Sequence, residues 1–206
     1  MEKISTYHHG DLRAALMTAA AAEIEKIGYE NLSLRELAAS LEVSRGAPYR
    51  HFADRRALLA ALAAEGFDRL TAIYREAIGT GGSPEARLAS SGRAYLSFAS
   101  ERPQLFRLMF ASDLLTAPPL DPILLKTAGT CYEVFESLVA ATLDHPDDGA
   151  VKAATIAMMS TTYGFALLRM GERFRPFMVG RLTQDQLIEA VLSMKVTKLP
   201  RSEDRA

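Results

Sequence analysis

Between Ser44 and Arg56 the sequence SRGAPYRHFADRR gathers hydrogen-bond donors of a kind suited to nucleic acid. Arg45, Tyr49, Arg50 and His51 leave it little apolar surface of its own to bury, which is odd for a core element and expected for one that faces nucleic acid. From Arg45 to Arg56 there are four arginines, Arg45, Arg50, Arg55 and Arg56, against the single acid Asp54. Residues 1 to 75 as a whole carry ten basic and ten acidic side chains, so positive charge is concentrated on this stretch. With a net charge of -1 for the full chain, coating nucleic acid by bulk electrostatics is excluded, and binding must be local.

Catalytic patterns are poorer. The acids are spread, no glycine-rich phosphate loop follows a strand, and Cys131 has no assured histidine partner. Four scattered histidines, including the adjacent His8 and His9, match no zinc-ligand spacing. The expectation is a protein that is not an enzyme and uses no metal or cofactor. A lone cysteine forms no internal disulfide, and MEKISTYHHGDLR has no apolar secretory region, which points to a reducing, cytoplasmic setting.

A helix-turn-helix would position the donors. Leu34, Leu37, Ala38 and Leu41 recur at the spacing of one helical face, and Ser33 with Glu36 forms a capping box at its start. The joint Leu41 to Ser44 is too short for antiparallel packing, so a second helix, N-capped by Ser44 and ending near Phe52, must cross steeply, with Val43 filling the angle. Pro48 lacks the N–H that would bond back to Ser44, so a helix beginning one or two residues later loses nothing. Phe52 is assigned to the core; Tyr49 fits either packing or a phosphate contact.

The rest reads as all-α, about nine helices, with glycine and proline between periodic segments. A first helix, Asp11 to Ile27, places Leu12, Leu16, Ala20, Ile24 and Ile27 on one face, and Gly28 stops it. Asp54 caps a helix from Arg55 to Ile78, and the breaker Gly79-Thr80-Gly81-Gly82-Ser83-Pro84 ends the first half. Helices follow over Glu85 to Ser100, Pro103 to Ala111, Asp121 to Leu143, 150 to 170 and 183 to 196, the last opened by a Thr183–Gln186 capping box. The expected organisation is 1–54 for DNA binding, 55–78 as connecting helix, 79–197 for ligand binding and dimerisation, and 198–206 as a frayed tail.

Ala153 to Leu168 is an uncharged run of 16 residues, short of the ~20 that a membrane helix needs, and is read as buried in protein. A helix apolar nearly all round needs cover on more than one side, which a single chain does not supply. Phe98, Phe106, Met109, Phe110, Phe135, Met158, Tyr163 and Phe165 gather aromatic and sulfur side chains in the second half. They read either as ordinary core or as the lining of a cavity for a largely apolar small molecule.

With these elements in place, YHHGDLR at Tyr7 to Arg13, LSLRELA at Leu32 to Ala38 and VSRGAPYRHFADRRALLAAL at Val43 to Leu62 resemble the DNA-binding domain of the TetR family of bacterial transcriptional regulators. The second half resembles a C-terminal subfamily through ERPQLFRLMF at Glu101 to Phe110 and Tyr163-Gly164, with Met159 and Tyr163 replacing the tryptophan and histidine of a Trp-x-x-x-His-Gly pattern. The resemblance implies that Arg35, Arg45, Gly46 and Ala47 approach bases or nearby backbone, and that Ser33, Tyr49, His51 and Arg55 contact phosphates. It further implies a homodimeric, ligand-responsive repressor on a palindromic double-stranded DNA operator, paired through the helices near 150–170 and 183–196. A small-molecule carrier or sensor that keeps the fold without specific DNA binding is the competing expectation.

Overall fold

The structure is a computed structural model and describes residues 12–193. Asp11, the paired histidines, Met194 and the tail expected to fray lie outside the described residues. Among those described there are nine α-helices, two 3-10 turns and no strand. Helix α1 (Leu12–Ile27) is followed by a 3-10 turn (Tyr29–Asn31), α2 (Leu34–Ser40) and a second 3-10 turn (Pro48–Arg50). Then come α3 (Arg55–Gly79), α4 (Pro84–Glu101), α5 (Pro103–Ala111), α6 (Pro122–Ala140), α7 (Asp148–Met170), α8 (Pro176–Val179) and α9 (Gln184–Leu192).

The chain divides into two compact units. Among the described residues the first comprises 12–68 and 102–128, the second 69–101 and 129–193, so α3 and α6 each contribute to both. Placing α5 with the first unit departs from the sequence reading, which grouped it with the second half. Its reason is visible at Gly66 in α3. A Cβ there would run into the Met109 side chain of α5, so the glycine permits the close approach of the two helices.

In the first unit Leu16 and Ile24 of α1, Leu58 of α3, and Phe106 and Leu108 of α5 are completely buried. Phe110 joins the rings of Phe67 and Phe106, with centroids 5.3 and 4.9 Å away. Glu25 of α1 accepts from the backbone N–H groups of Gln104 and Leu105, both at 3.1 Å, satisfying donors left open in the first turn of α5. As expected, Gly28 follows α1 at positive φ (81°), although its ψ of 149° is extended rather than left-handed helical.

In the second unit Leu70, Leu96, Val139 and Thr155 are buried, and α4 touches both α7 and α9. Gly92 permits the approach of α9, since a Cβ there would occupy the space of Leu192. Thr183 Oγ1 accepts from Gln186 N and Gln186 Oε1 accepts from Thr183 N at 3.2 and 2.9 Å, the reciprocal box expected from sequence. Helix α7 is, by length and composition, apolar enough to cross a membrane. It packs on α4 and α9 and buries Ala154, Thr155, Thr162, Phe165 and Ala166, but Ile156 and Leu167 are exposed, so the run expected to be buried in protein is covered on one side only in the described residues.

Candidate nucleic-acid interface

The expected second helix of the helix-turn-helix is not continuous. Residues 45 and 46 form a turn, closed by Ala47 N to Ser44 O (2.9 Å), and Pro48–Arg50 a single 3-10 turn, closed by His51 N to Pro48 O (3.0 Å). Proline is the physical reason: with no N–H at position 48 the α-helical bond to Ser44 cannot form, and Ser44 O instead takes the N–H three residues on.

Entry to this segment is set by the end of α2. Glu42 adopts φ 55°, Val43 N bonds to Ala38 O at 3.0 Å and Glu42 N to Ala39 O at 3.1 Å, a Schellman ending with a left-handed residue after Leu41. At the other end of α2, Ser33 Oγ accepts from Glu36 N at 3.4 Å, one half of the expected capping box.

Two buried side chains anchor the segment. Pro48 is fully enclosed and Phe52 is 4% exposed, with the Arg13 guanidinium 5.2 Å from its ring centroid. Between and before these anchors, Ser44, Arg45, Gly46, Tyr49 and Arg50 are exposed, and Ala47 and His51 are half-buried. Tyr49 at 54% exposure is not packed into the core, which leaves its phenol on the surface. Arg35, exposed on α2, and the half-buried Ser33 complete the set expected from sequence.

Arg55 has another task in this structure. Its Nε donates to Leu32 O at 2.8 Å and its Nη2 to Tyr29 O, so the guanidinium fastens the start of α3 to the connection between α1 and α2. Arg56 likewise faces inward, onto the loop between α5 and α6. Asp54 caps α3 by accepting from Ala57 N at 2.8 Å, as its position suggested. Half of the arginine cluster is therefore occupied within the first unit.

The eight aromatic and sulfur residues are divided between the two units. Phe106, Met109 and Phe110 belong to the first unit, where Phe106 is completely buried. Phe98, Phe135, Met158, Tyr163 and Phe165 belong to the second. There Tyr74 and Phe135 rings lie 5.3 Å apart, and burial raises the Tyr74 phenol well above its ordinary pKa, with the Cys131 thiol and Tyr95 phenol adding to the rise. A cavity of about 190 Å³ in the first unit is lined by Asp54, Arg56, Ala57, Ala60, Leu114 and residues 119–122, none of them from the aromatic set.

Residues 16–62 match the family described as bacterial regulatory proteins, tetR family, and residues 88–194 match the tetracyclin repressor-like C-terminal domain. The chain belongs to the TetR family. Its fold recurs in a solved Rhodococcus structure described as a protein of unknown function. That protein is 34% identical, with a TM-score of 0.75, covering 91% of this chain and 95% of the other. Among curated relatives, the HTH-type transcriptional activator FasR of Mycolicibacterium smegmatis is 26% identical over 128 residues, 62% of this chain and 58% of the relative. An HTH-type transcriptional repressor of Mycobacterium tuberculosis is 34% identical over 73 residues, 35% of this chain and 39% of the relative. These matches span less than two thirds of either curated relative.

Proposed function

We propose that this TetR-family chain is a ligand-responsive homodimeric repressor that binds a palindromic operator in the cytoplasm. The observation that carries the reading is the segment 44–51, held by buried Pro48 and Phe52 while Arg45, Tyr49 and Arg50 stay exposed. Arg45, Gly46 and Ala47, with Arg35 of α2, approach base edges. Arg50 reads a base edge beside Arg45, and Ser33, Ser44, Tyr49 and His51 hold phosphates. Arg55 supports them through its backbone-carbonyl bonds and not through its side chain on DNA. One such segment reads few base pairs, so a two-fold pair about one DNA turn apart, ~34 Å, supplies the remaining contacts.

The dimer forms through α7 and α9. Ile156 and Leu167 of α7 are exposed, and no residue of α9 is fully buried although Leu187, Ile188, Val191 and Leu192 are apolar. Pairing with a second copy covers this surface. A largely apolar effector is held by Phe98, Phe135, Met158, Tyr163 and Phe165, while Phe106, Met109 and Phe110 act as first-unit core. A coupling of ~1–3 kcal/mol between effector and operator changes DNA affinity by about 5- to 150-fold.

Selection of bound duplexes from a randomised pool at about 0.15 M salt tests the reading. Enrichment of an inverted repeat supports it. Weak binding that fades with salt and enriches no sequence contradicts it and favours a carrier of small molecules.

A further inference from the structure

We infer that Arg56 is a positioning residue for DNA reading and not a DNA contact, an assignment that rests on the regulator proposed above. All three guanidinium nitrogens are engaged by the loop between α5 and α6. Nη1 donates to Asp113 Oδ1 at 2.9 Å, Nη2 to Ala117 O at 2.6 Å and Asp113 O at 3.2 Å, and Nε to Pro119 O at 3.4 Å. Reaching a phosphate would mean releasing this loop. The Asp113 side chain is 65% exposed, so the ion pair adds little and the carbonyls supply most of the hold.

Position gives the clamp its consequence. Arg56 is the second residue of α3, separated from the exposed segment 44–51 by only Phe52, Ala53, Asp54 and Arg55, and Phe52 is itself buried. The direction of the first turn of α3 therefore sets the direction of the reading segment. On its other side, the clamped loop runs straight into α6, whose first turn is capped by Asp121 Oδ1 accepting from Ile123 N and Leu124 N, both at 2.9 Å.

The chain passes between its two units at three places: inside α3, at the start of α5 and inside α6. Each crossing is tied, within the first unit, by a charged side chain. Arg55 holds the α3 end, Glu25 holds the first turn of α5, and Arg56 joins the α3 end to the approach to α6. One guanidinium thus links two of the three covalent routes along which a change in the second unit can arrive at the reading segment. A displacement of either helix is passed to the other through it, because a planar fork bonded to three carbonyls cannot slide on one without leaving the rest.

The test uses the duplex enriched by the wild-type chain, with affinity measured per folded molecule over a range of salt and with the half-site spacing altered by one base pair. R56A is expected to bind at least ~10-fold more weakly, as the loss of hydrogen bonds to a charged group implies. Its slope of log affinity against log salt stays at the wild-type value, and its discrimination between spacings falls. D113N stays within about 3-fold of wild type because it keeps the carbonyl clamp. R56K, which keeps charge and stem but cannot span the acceptors, behaves as R56A and replaces it if the alanine variant does not fold. A fall of about 1.8 in the salt slope, about 0.9 for each of the dimer's two copies, would reassign Arg56 as a phosphate contact. Wild-type affinity and spacing discrimination in both variants would overturn the positioning role alone. A wild-type chain that enriches no duplex overturns the regulator reading and this role with it.

Discussion

Four arginines lie within the twelve residues from Arg45 to Arg56, and they part company according to which acceptors the fold places near them. Arg45 and Arg50 find open solvent, while Arg55 and Arg56 find carbonyls at positions 29, 32, 113, 117 and 119. Arg45→Ala is expected to lose about 1–3 kcal/mol of discrimination at one base position, seen by titrating duplexes that differ at single positions. Sequence disclosed the charge but not its direction, since the acceptors that claim Arg56 lie some 60 residues away along the chain. Tyr74 makes a prediction of a different kind. Its phenol pKa is raised by burial and then by Cys131 and Tyr95, so the folded state holds the proton more tightly than the unfolded state. Stability is therefore fully present below the ordinary phenol value of ~10 and falls as pH rises above it. Urea midpoints followed from pH 8 to 11 should decline in the wild type and decline less in Tyr74→Phe; equal declines would place the alkaline loss elsewhere.

Helix starts proved readable because their chemistry is local. Ser33, Asp54 and Thr183 each cap the helix that their position in the sequence announced. Thr183→Ala should cost about 0.5–2 kcal/mol in thermal or urea unfolding, with an unchanged midpoint showing that α9 does not depend on its cap. Helix stops were less legible. Both α2 and α7 end on a left-handed glutamate, Glu42 at φ 55° and Glu172 at φ 49°, where glycine is the residue that would have signalled the turn. Left-handed backbone costs an L side chain roughly 1–2 kcal/mol, against the ~0.5–1 kcal/mol that glycine's flexibility costs. Glu42→Gly is therefore expected to raise stability by about 0.5–1 kcal/mol, measured by the urea midpoint; a fall would mean that the glutamate side chain contributes more than its backbone costs. The reading segment was misjudged for a reason present in the sequence itself. Pro48 divides it into turns, and the exposed donors sit on a bent strip instead of one helical face.

Across the chain, hydrophobic periodicity located the long helices but not their grouping. Helix α5 looks like part of the second half when read in order, yet Gly66, Glu25 and the Phe67–Phe110 ring contact bind it to the first unit. Such contacts join positions 40 to 80 residues apart, which no local pattern records. Replacing the completely buried Phe106 by alanine should cost ~3–5 kcal/mol of stability. Ile156, 58% exposed on α7, tests assembly: Ile156→Lys should shift sedimentation from dimer towards monomer and weaken operator binding, whereas an unshifted dimer would place the interface elsewhere. All of this converges on sequence-specific reading by the exposed arginines. The decisive quantity is the ratio of affinities for the selected duplex and for a scrambled one at equal salt, compared between wild type and Arg45→Ala/Arg50→Ala. The wild-type ratio should be about 10³ or more and should collapse towards unity in the double variant. A double variant that keeps the wild-type ratio would show that these arginines do not read the operator.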